Sequence, residues 1–254
     1  SGYFGLRQNA SSVVAFDTIS ITAAAIGNHA FQLQGTGGKV QSASDITISG
    51  TQGTWGLTVY DNAFIQSTKA NSAANGNISI TATGTTGGLY TNSTGGIFAS
   101  SNTATPTATP TAGGTLTIVA TGGTEQGIYL NTGSLISFGA MSVSGTATTA
   151  EQGVRTAGTG EIKAVGNITI NSVTGGANHW SAYLDGSRFI QSTAGNISLT
   201  STSTTGHGIY INGGGLVAGN STTTPTAGGS ISINSSSGYN NIAGAALRLS
   251  LIHI

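Results

Sequence analysis

Seven carboxylates are where chemistry would be sought first: Asp17, Asp45, Asp61, Glu125, Glu151, Glu161 and Asp185. Hydrolysis of a glycosidic bond usually takes two carboxyl groups roughly 5 to 9.5 Å apart, one as acid and one as base or nucleophile. Asp61 in VYDNAFIQS and Asp185 in YLDGSRFIQS share a sequence setting but lie too far apart along the chain to act together. Glu125 in TEQG and Glu151 in AEQG are one repeat apart, which predicts a stacked, solvated and mutually repelling pair. No cluster of basic residues accompanies either pair. His29, His179 and His207 have no carboxylates around them in the sequence, and the Gly-rich Ca²⁺-binding nonapeptide is absent. There is no nucleophile elbow, P-loop or dinucleotide fingerprint in context. With no cysteine there is no disulfide, thiolate metal site or thiol nucleophile. The expectation is a protein that is not an enzyme, with no catalytic residue, no metal ligand and no cofactor.

The aromatic residues are spaced more informatively. Tyr90, Tyr129, Tyr183 and Tyr210 each stand one place after the first apolar residue of a short segment: GLYTN, GIYLN, SAYLD and GIYIN. Gln32, Thr58 and Arg155 hold the same place in other repeats. Trp55, Trp180, His29 and His207 lie three residues earlier. In an extended segment with period 2 this place points outward. Stacked exposed rings beside amides and hydroxyls can hold the face of a sugar. They can equally form an exterior ladder that only strengthens packing between repeats.

These rings need a scaffold, and the rest of the chain describes one. An apolar–polar–apolar triplet recurs at Ile19/Ile21, Ile46/Ile48, Ile78/Ile80, Leu116/Ile118, Met141/Val143, Ile168/Ile170, Ile197/Leu199 and Ile231/Ile233, about every 31 residues. Three of these read GNISI, GNITI and GNISL. Each period also carries the Gly-x-large segment and a single aliphatic in a polar setting: Val40, Ile65, Ile97, Ile162, Ile190 or Val217. Period 2 means strand with one face buried, and Gly and Asn supply the bends. Three short strands per period predict an all-β, right-handed parallel β-helix of about eight coils, stacked about 4.8 Å apart. SITAAAIGNHAFQLQ, the one stretch with some helical periodicity, is better read as strand, bend, strand. Insertions at 67–76, 100–114 and 220–229, with all three prolines, gather at one corner, away from ladder positions.

Composition removes several partners. Only 6% of residues are charged, and seven basic residues balance seven acidic ones, so no field attracts nucleic acid or anionic lipid. No run approaches the roughly 18 apolar residues that span a membrane, so this segment is not expected to insert.

The GNISI, GNITI and GNISL repeats, with Ser/Thr/Gly filling and no cysteine, resemble the β-strand repeats of large bacterial surface proteins, the filamentous-haemagglutinin-type adhesins and autotransporter passengers. The resemblance runs over about residues 1 to 248. It implies a right-handed β-helix, export to the bacterial cell surface, and service as a stalk or as a rod that presents a host or environmental glycan or a surface receptor site. Tyr90, Tyr129, Tyr183, Tyr210, Trp55 and Trp180 are the candidate ligand-binding residues. The alternatives are a polysaccharide-active β-helix enzyme, which would need a close acid cluster, and an ice-binding solenoid, which would need an uninterrupted Thr-x-Thr ladder. Residues 249 to 254, LSLIHI, match no position of the repeat and resemble the translation of a sequencing-library adapter. They are expected to be a non-biological tail on a metagenomic fragment cut at both ends, and His253 is given no role.

Overall fold

Segments of three to seven residues with alternating apolar residues hide one side only if equivalent segments stack beside them, and the chain satisfies this by pairing each segment with its counterpart one repeat later. The computed structural model describes residues 3–69, 74–92, 94–100, 113–149, 151–186, 188–221, 228–237, 239–243 and 246–249. Pro106, Pro110, Pro225, most of the insertion at 100–114 and residues 250–254 lie outside them. Every element among the described residues is a β-strand, and every strand pairing is parallel. The arrangement is a β-solenoid-like parallel fold made of two sheets, of 15 and 9 strands.

The larger sheet carries two columns of strands. The triplets form the first, from Ile19–Ala24 to Ile231–Ser235, with Ile46, Ile78, Leu116, Met141, Ile168, Ile197 and Ile231 in direct register. The Gly-x-large segments form the second, from Leu6–Asn9 to Asn241–Ala243. The nine-stranded sheet is the third column, from Ser12–Ala15 to Ala246–Leu249. Inward aliphatics of all three columns meet in one core, in which Ile46, Ile78, Leu116, Ile168 and Ile197 are buried. Each such side chain contributes about 1.5–3 kcal/mol by leaving water. The stretch from Ser20 to Gln34 is strand, bend, strand, as its sequence predicts.

Three details depart from the expected grammar. In two circuits the strand is continuous from the first column into the second, as Ile46–Tyr60 and Ile78–Asn92, and the chain turns at glycines: a Cβ at Gly50 would run into the Gly56 carbonyl, and one at Gly84 into that of Gly87. Trp55 lies within this continuous strand at the turn, next to register irregularities between Gly50 and Gly53 and between Gly53 and Trp55. In the third column Leu216, and not Val217, faces inward, because Leu216 pairs with Ile190. Finally, outward third-column residues Phe98, Ile136 and Val217 are as buried as the inward ones, so their three strands are covered on both faces.

The Asn of the GN repeats has a defined task. Asn77 N–H donates to Asp45 Oδ1 at 2.7 Å, and the Thr115 N–H and hydroxyl both donate to Asn77 Oδ1 at 2.9 Å. The same step recurs from Asn196 N–H to Asn167 Oδ1 at 2.8 Å and from Ser230 N–H to Asn196 Oδ1 at 2.8 Å. Side chains at the entrance to the first column thus bind circuit to circuit at these steps.

Candidate functional site: an aromatic ladder on the second column

Register alone sets the ladder. Thr58 pairs with Tyr90, Tyr90 with Tyr129, Tyr129 with Arg155, Arg155 with Tyr183, and Tyr183 with Tyr210. The outward column read from the sequence is therefore reproduced residue by residue. Tyr90, Tyr129, Tyr183 and Tyr210 are half-buried, with their backbones locked in the sheet. Gln32 and Thr58, at the same place, are buried instead.

The rings form two clusters. Tyr90 lies 5.3 Å from Trp55 and 5.2 Å from Tyr129 between centroids. Tyr183 and Tyr210 stack at 4.6 Å with an interplanar angle of 11°. Trp180 packs on Tyr210 at 5.1 Å and on His207 at 4.8 Å. The two clusters, one holding Trp55, Tyr90 and Tyr129 and the other Trp180, Tyr183 and Tyr210, are joined by Arg155. Its guanidinium lies 4.7 Å from the Tyr129 centroid and 5.8 Å from that of Tyr183, a cation–π bridge where a ring is missing.

Sequence reasoning left out several members. Tyr60 meets Tyr90 edge-on at 5.4 Å and His29 at 6.3 Å, and His29 continues to Phe4. Tyr239 closes the other end against Trp180 and His207. Tyr60 was within reach of the alternation rule, because it stands two residues beyond Thr58 and so points to the same side. Six of the seven tyrosines and both tryptophans consequently stand on this one face.

Packing also fixes how the rings sit. Trp55 pairs with Gly87 of the next circuit, and a Cβ at Gly87 would intrude into the Trp55 six-membered ring. The indole therefore rests on bare backbone. Burial pushes the Tyr60 hydroxyl up to about 12, with Tyr90 adding to the effect. Burial raises Tyr90 and Tyr183 as well, and it lowers His29, whose Nδ1 has no hydrogen-bond partner. The ladder is thus a largely neutral surface of rings and hydroxyls, with Arg155 bridging its centre and Arg7 over Phe4 at one end.

Glu151 accepts a hydrogen bond from Gln126 Nε2 at 3.2 Å, and Gln126 also reaches Gln152 at 3.4 Å. Asp185 accepts from Asn212 and from the Gly186 N–H. Among the described residues no three His, Asp or Glu side chains approach closely enough to hold a metal ion. No helix of the described residues is long and apolar enough to cross a membrane.

Comparison with protein-family models, with curated proteins and with solved structures finds no match. The geometry above is therefore what a functional reading rests on.

Proposed function

We propose that the chain is a segment of right-handed β-helix, three strands per circuit and about eight circuits, that serves as the structural or adhesive rod of a secreted bacterial surface protein. Its second-column face is the platform for a host or environmental glycan. One observation carries this: tyrosine and tryptophan are set almost entirely on that outer face, while Ile, Leu and Val fill the core. Rings with polar edges, held rigidly and half-exposed, suit the apolar face and flanking hydroxyls of a sugar. The parallel crossovers support the handedness, since such connections are right-handed in about 98% of cases. Low charge, absence of cysteine and the resemblance to surface-protein repeats support the setting.

The experiment is a glycan-array and host-cell binding screen of the protein beside a Tyr129→Ala/Tyr183→Ala variant. Binding lost in the variant, with an unchanged β-sheet circular dichroism spectrum, is the expected result. Binding retained in full would reduce the ladder to a packing device.

A further inference from the structure

Charge is scarce in this chain, with seven basic and seven acidic side chains in 254 residues. Three of them, Glu161, Lys163 and Arg188, nevertheless line one cavity of about 190 Å³ against the third column. The placement is built by register. Ile162 pairs with Ile190 and Lys163 with Gln191, so Glu161 and Phe189 lie side by side on adjacent circuits. Glu161 is held from the circuit before, its N–H donating to Ser134 Oγ at 2.9 Å and its carbonyl accepting from Leu135 N–H at 2.8 Å. Gln191 is held from the circuit after, its Nε2 donating to Gly219 O at 2.9 Å.

Arg188 forms the floor. It is 5% exposed, and its guanidinium donates to the carbonyls of Gly133 at 3.0 Å and Ala157 at 2.9 Å. Those bonds run to neutral oxygens, so with Lys163 there are two cations to the one carboxyl of Glu161, a balance that favours an anion. Glu161 Oε2 is buried with no hydrogen-bond partner. Burial raises its carboxyl above the usual range, against the pull of Lys163.

We propose that this cavity binds a small carboxylate that also carries hydroxyl groups, of the size of one sugar acid, at a site separate from the aromatic ladder. The ligand's carboxylate pairs with Lys163 over the Arg188 floor, a hydroxyl donates to Glu161, and its apolar edge lies on Phe189. The cavity, of about 190 Å³, has room for a ligand of the size of a single monosaccharide unit.

The test is a titration of the full chain with glucuronate, and with glucose as the uncharged probe, followed by calorimetry and by NMR shifts. Saturable glucuronate binding is expected, weakened at least about tenfold for glucose and in Lys163→Gln, as loss of a charge-assisted hydrogen bond predicts. Lys163→Arg should keep it, which separates loss of charge from misfolding. The Tyr129→Ala/Tyr183→Ala variant should bind glucuronate unchanged, so this site and the ladder stand or fall separately. Equal response to both sugars, no saturable glucuronate binding, indifference to Lys163→Gln, or loss in the tyrosine variant would each overturn the proposal.

Discussion

At the scale of single residues, the ladder depends as much on what is missing as on what is present. Gly87 has no side chain, and only for that reason can the Trp55 ring lie over it beside Tyr90. Gly87→Ala should therefore expel the indole, shift its fluorescence and weaken glycan binding while leaving the β-sheet spectrum intact. Unchanged fluorescence would show that the seat is not needed. Titration adds a second expectation. Burial lowers His29 in the folded state, so below its ordinary value of 6.5 the unfolded chain takes up the proton first, and stability falls as the pH drops through that window. Tyr60 works in the opposite sense. Its hydroxyl is raised from 10 to about 12, so its contribution is complete below pH 10 and is lost as the pH rises toward 12. Thermal melts across pH should fall on both flanks, the acid flank flattening in His29→Gln and the alkaline flank in Tyr60→Phe. The four ladder tyrosines were legible in the sequence because position within a segment fixes direction. The buried Arg188 was not, because a charged residue is normally found in water and the carbonyls that hold it lie 31 to 58 residues away.

At the scale of the strand, the triplets Ile78/Ile80 and Ile168/Ile170 name the first column outright, since an apolar–polar–apolar segment has one way to face a core. The third column was less readable. Alternation assumes that one side is wet, and in Gly96–Ala99, Ser134–Ser137 and Gly215–Ala218 neither side is. Choosing between Leu216 and Val217 therefore needed the register itself. The asparagine ladder was visible as the letters GN, but its purpose appears only when circuits stack. That ladder is interrupted at Ala140, which the register places between Thr115 and Asn167. Ala140→Asn offers Asn167 N–H the acceptor that Asn77 offers Thr115. It should stabilise the protein by about 1 kcal/mol, the net worth of one hydrogen bond, read as a higher urea midpoint at unchanged slope.

At the scale of the whole molecule, a parallel stack turns a short sequence habit into a long surface. An outward residue recurs at about 4.8 Å intervals because its strand pairs with its copy, so rings remote in sequence become neighbours. The core and the ladder are two readouts of that one register. This is why the sequence could foretell which rings align, yet not how far the stack extends to Phe4 and Tyr239, which stand beyond the repeated segments. The function proposed for the rod rests on the ladder, and the molecule carries its own reporter there, since Trp55 and Trp180 are its two tryptophans and both belong to the ladder. The most direct measurement is intrinsic tryptophan fluorescence during titration with the glycans that the array selects. A saturable change in emission, absent in Tyr129→Ala/Tyr183→Ala, is the predicted result. Glycan binding that leaves both indoles unperturbed, or no binding by the well-folded protein, would contradict the account.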